Sequence, residues 1–147
     1  MRDTVIPARD VASALGIPVG TIASWISRKY IRNLDSESVE IRAGQTRFYS
    51  LRDFYAITML DALARLGVLD RKLGAWLPIA VLDHFGKGVR KLYFSAELDE
   101  DGELLTRFAY EPIEEAHTYV VVDLPALIAH ADARLRGVRP DLMGEAR

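Results

Sequence analysis

The stretch Leu15-Gly16-Ile17-Pro18-Val19-Gly20-Thr21-Ile22-Ala23-Ser24-Trp25 decides the fold. Ahead of it, residues 6–15 place Val11, Ala12 and Leu15 on one apolar stripe. Pro7 suits a first helical turn there, and Gly16 suits a helix end. Beyond the short connection at 17–20, Ile22, Trp25 and Ile26 follow helical spacing and predict a second helix over about 21–29. Two short helices joined by a tight turn at a glycine predict a helix-turn-helix.

Working outward, Ser38-Val39-Glu40-Ile41-Arg42 and Thr46-Arg47-Phe48-Tyr49 flank Ala43-Gly44-Gln45 and predict a hairpin. Alternation means that either Phe48 or the pair Arg47 and Tyr49 faces inward. With Phe48 in the core, Arg47 and Tyr49 point outward. Ser50 and Asp53 have the spacing of a capping box. The helix they open runs over 51–66, with Leu51, Phe54, Ile57, Leu60, Leu63 and Leu66 on one side and Gly67 closing it. Asp70 caps a further helical pattern carrying Leu73, Trp76, Leu77, Ala80, Val81 and Phe85, in which Pro78 predicts a kink or a break. Trp25, Phe54, Trp76 and Phe85 all read as core residues.

Segments 91–98 and 103–110 flank Asp99-Glu100-Asp101-Gly102 as a second hairpin, and β-branched residues predict a third strand over 118–122. Asp123 and Pro125 open a last helix to about 135, with Leu127, Ile128, Ala131 and Leu135 inward. The fold class is therefore α+β: a winged helix-turn-helix over 1–69, a connecting helix over 70–86, and a small antiparallel sheet with a helix over 87–136. Residues 137–147 read as a flexible tail.

The chain has 147 residues and a net charge of −2, with half its residues apolar. That total divides unevenly. Residues 1–52 hold eight basic and five acidic side chains, a net +3, and the remainder is −5. Such asymmetry suggests different partners for the two ends. The absence of cysteine excludes disulfides, zinc ribbons, iron–sulfur clusters and thiol catalysis. No apolar run approaches the ~18 residues of a membrane helix, and residues 1–7 lack the pattern of a signal peptide. A cytoplasmic location without membrane contact is expected.

Leu15-Gly16-Ile17-Pro18, Thr21-Ile22 and Trp25 resemble the helix-turn-helix of MerR-type proteins, and Gly44, Arg47, Tyr49, Ser50 and Asp53 resemble their wing signature. Leu66-Gly67-Val68-Leu69 is similar to the junction after their third helix. The resemblance to this MerR-like and excisionase-like winged helix superfamily covers about residues 4–77. It implies that the second helix enters the major groove of double-stranded DNA, with Thr21 and Ser24 facing it. It also implies that Arg47 and Tyr49 meet phosphates from the wing. Arg28, Lys29 and Arg42 would add attraction that does not depend on base sequence.

Two departures stand out. Ala23 occupies a position where many members have arginine, so base readout by this helix is thin. The half beyond residue 69 lacks the sustained heptads of a MerR coil.

The bland reading of Arg28-Lys29 is a charge pair complementing a helix C-terminus. The acids at 97–103 lack the spacing of a calcium loop and read as an exposed hairpin tip. His84, His117 and His130 lie in separate elements with no ligand spacing. No phosphate loop, nucleophile elbow or zinc-protease motif occurs, so no enzyme reaction and no cofactor are expected.

The leading expectation is a bacterial or phage transcription regulator binding DNA as a homodimer, with the C-terminal module open to a protein or small-ligand partner. The alternatives are a phage terminase small subunit or excisionase-type accessory factor, and a winged-helix antitoxin or adaptor.

Overall fold

A computed structural model of the protein describes residues 5–38, 47–114, 116 and 118–143. Its elements are six helices and two small antiparallel sheets among those residues, a mixed α+β arrangement. α1 (Ala8–Leu15) and α2 (Val19–Ser27) are joined by the three residues 16–18, as their spacing predicts. Arg134 and Arg65 donate to the last carbonyls of α1, those of Ala14 (2.5 Å) and Leu15 (3.2 Å).

Residues 39–46, including Arg42 and the expected turn at Ala43-Gly44-Gln45, lie outside the described residues. The segment after them forms β2 (Phe48–Ser50), which pairs with a strand not foreseen, β1 (Val5–Pro7). The register sets Tyr49 opposite Ile6, and both are buried, whereas Phe48 is 50% exposed. The expected facing is thus reversed. Directly opposed residues share one face of a sheet, and the core claims the Ile6 face. Burial pushes the Tyr49 phenol up to about 12, despite the nearby Arg47 charge.

α3 (Leu51–Arg65) opens on Ser50, whose hydroxyl accepts from the Asp53 N–H (3.0 Å). The buried Asp53 carboxylate accepts from the N–H groups of Asp35 (2.7 Å) and Ser36 (3.0 Å), so it fixes the 3₁₀ turn Asp35–Ser38. Burial raises its pKa above the ordinary aspartate value, partly offset by those hydrogen bonds. Every residue from Asp53 to Leu60 is buried. The helix is central rather than one-sided, and only at its far end does Leu66 emerge, 69% exposed.

α4 (Arg71–Lys87) is capped by Asp70 as expected, but it runs through Pro78 without interruption. The missing N–H and ring clash cost about 3 kcal/mol. Leu77, Ala80 and Val81 are fully buried around the proline. Burial at ~1.5–3 kcal/mol for each of the larger side chains outweighs that penalty. Trp76 and Phe85, expected in the core, are 41% and 49% exposed, although Phe85 stacks on Tyr55 of α3 with ring centres 5.9 Å apart.

The second sheet has the order β4-β3-β5, from β3 (Lys91–Leu98), β4 (Leu104–Ala109) and β5 (Val120–Asp123). At the hairpin tip the Asp99 carboxylate accepts from the N–H groups of Asp101 (2.9 Å) and Glu103 (2.8 Å), so these acids organise a turn. Asp123 caps α5 (Leu124–Val138), which packs on α1 and α3. The expected tail at 137–147 is corrected in its first half. α5 extends to Val138, α6 (Pro140–Met143) follows, and Arg139 bridges Asp10 (2.6 Å) and Asp141 (2.8 Å). One apolar cluster runs from Ile6 to Leu135 and includes Leu92, Phe94 and Val122 of the sheet. No helix among the described residues is long and apolar enough to cross a membrane.

Candidate nucleic-acid interface

The end of α2 positions the candidate site. The N–H of Tyr30 reaches back to the Trp25 carbonyl (2.8 Å) and that of Lys29 to Ile26 (3.1 Å). This double closure stops the helix and turns the chain, with Lys29 in the left-handed region at φ 63°. Arg28 and Lys29 are both exposed at this corner. Half-buried Thr21 and Ser24 share a shallow groove with Trp25, Arg28 and Tyr30.

A second groove adjoins it. Lys29, Arg32 and Arg47 line it together with Ile26 and Ile31, and no carboxylate of the described residues contributes to its wall. Arg47 is half-buried, entering from the residue just before β2. Among the described residues none of Arg28, Lys29, Arg32 and Arg47 has a carboxylate within ion-pair distance. Arg52, Arg65 and Arg139 do, with Asp35, Asp61 and the Asp10–Asp141 pair respectively. Cations that converge without a counter-charge repel one another and raise the local positive potential. Such a surface recruits anions, and arginine binds phosphate oxygens through two parallel hydrogen bonds.

A third groove continues the surface onto α4. Its described lining is Arg32, Arg71, Lys72, Ala75, Trp76 and Phe108, again with no acid among these residues. Three contacts hold α4 against the corner. Arg71 Nε donates to the Arg28 carbonyl (2.8 Å), its guanidinium lies 4.6 Å from the Tyr30 ring centre, and Asn33 Nδ2 donates to the Ala75 carbonyl (2.8 Å).

The sequence-derived residues therefore divide. Thr21, Ser24 and Arg28 line one groove along α2, and Lys29 and Arg47 line another at its end. Tyr49 does not join them, because its side chain is 2% exposed and belongs to the core. Arg42 lies outside the described residues. Arg32, Arg71 and Lys72 were missed. A signal for the last two exists, since basic residues in the first turn of a helix oppose its dipole. α4 carries two there and no acid.

No family model matches the chain, and no curated protein shows significant similarity to it.

Proposed function

We propose that the protein is a sequence-specific DNA-binding transcription regulator that grips duplex DNA as a dimer through a winged helix-turn-helix. One observation carries the reading: Lys29 and Arg32, from the turn after α2, and Arg47, from the residue before β2, line one groove with no acid among its described lining residues. In this reading α2 lies in the major groove, with Thr21 and Ser24 toward the DNA and Arg28 and Lys29 at the phosphates beside it. Arg47 contacts the backbone from the other side of the groove, and Arg32 takes the part first expected of Tyr49.

The polar side chains of α2 are short hydroxyls, so sequence-dependent DNA shape carries much of the discrimination. A single short helix gives modest affinity, and twofold symmetry doubles the contacts. The reading places the protein in the cytoplasm, assigns it no reaction and needs no cofactor.

Selection of bound duplexes from a random pool tests it. The expected product is an inverted repeat with half-sites about one helical turn apart. A pool that shows no enrichment after repeated rounds would overturn sequence-specific recognition.

A further inference from the structure

Trp76 stands on α4 at an apolar helical position, yet it is 41% exposed. Its ring rests on Phe108 of β4, with centroids 4.7 Å apart and planes tilted by 53°. Arg32, Arg71 and Lys72 surround this aromatic pair in one groove. Arg32 also lines the groove of Lys29 and Arg47, so the two surfaces are continuous.

We propose that the Trp76–Phe108 groove is a stacking site for an unpaired base of single-stranded DNA, with Arg32, Arg71 and Lys72 holding the adjoining phosphates. The inference rests on the DNA-binding reading of the neighbouring face and names a second form of the same ligand. An aromatic platform ringed by cations is how single strands are held without sequence preference. Cation placement makes the fit specific to a polyanion, because among the described residues no carboxylate lines the groove to compete for the three charges. Bases inside an intact duplex are already stacked on one another, so only an unpaired or everted base can reach the indole. Phe108 backs the indole, which limits its freedom before the ligand arrives and lowers the entropy lost on binding.

Fluorescence anisotropy of the full chain with two labelled oligomers of about twelve nucleotides tests the site, one thymidylate and one carrying abasic sugars throughout. The abasic strand keeps the phosphates and lacks the bases. Trp76→Ala should weaken thymidylate binding about tenfold or more, and Trp76→Phe, which keeps a ring, by less than about threefold. Neither variant should change abasic binding by more than about twofold, since that strand has nothing to stack. Equal losses on both strands, or no loss on thymidylate, would overturn the stacking site. Displacement of thymidylate by poly-glutamate at equal charge concentration would also overturn it, in favour of an acidic peptide ligand.

Three further outcomes separate this inference from the duplex reading. Wild-type binding to duplex but not to thymidylate refutes the stacking site alone. Trp76-dependent binding to thymidylate without duplex binding refutes the regulator reading alone, and binding to neither refutes both.

Discussion

At residue 29 the backbone turns through φ 63° with a lysine side chain attached. α1 and α3 end with the same pattern of back-reaching N–H groups, Ile17 to Ala12 (3.0 Å) and Val68 to Leu63 (2.8 Å), but they place Gly16 and Gly67 at the left-handed position. A non-glycine residue there costs roughly 1–2 kcal/mol. A cation near a helix C-terminus returns only about 0.3–1 kcal/mol, and Arg28 already supplies that charge. The dipole therefore does not account for lysine at this position, whereas the proposed phosphate contact would. Lys29→Gly should raise the stability of the free protein by about 1 kcal/mol in urea unfolding. It should at the same time weaken duplex binding. A variant that loses stability would show that the turn is not strained by the lysine.

At the scale of elements, α4 is the part that joins the two halves of the surface. Gly74 sits against the corner after α2. A Cβ built there would meet the Tyr30 carbonyl oxygen at 1.7 Å, which is backbone and cannot swing aside. Gly74→Ala must push α4 off residues 28–33 and break the contacts of Arg71 and Asn33. Overpacking of this kind costs about 1–3 kcal/mol and sometimes more. The upper end is expected here, read as a lowered urea midpoint. A midpoint within about 0.5 kcal/mol of wild type would mean the helix docks elsewhere.

Much of this layout was legible in the sequence. Gly16, Ser50, Asp70 and Asp123 marked helix ends by local chemistry, and the structure uses all four. What escaped was non-local. Three-residue β1 is too short to show alternation, so the facing of Tyr49 and Phe48 was undetermined until Ile6 stood opposite. Likewise Trp76 and Phe85 fit a helical stripe, but which part of that stripe meets α3 depends on packing. Arg71 and Lys72 join Arg28 only through a fold contact 43 residues apart in sequence.

Across the whole molecule, position in the chain does not decide which cations line the basic grooves. The first 52 residues are +3 and the rest −5, yet Arg71 and Lys72 from the acidic part lie along the basic grooves. The shared core explains how this is possible. α5 lies on α1 and α3, and Arg134 and Arg65 hold the end of α1, so the back of the chain braces the helices at the front. The basic grooves and the packing that supports them are thus built from both halves of the sequence.

The central claim is that the face of Lys29, Arg32 and Arg47 binds the phosphates of DNA. The most direct test is duplex affinity measured against salt for wild type, Arg32→Ala and Arg47→Ala. Each phosphate contact contributes about 0.9 to the slope of log affinity against log salt. The account predicts tight binding at low salt that weakens steeply as salt rises, with each alanine lowering the slope by about that amount. No binding at low salt, or slopes that the two substitutions leave unchanged, would contradict it.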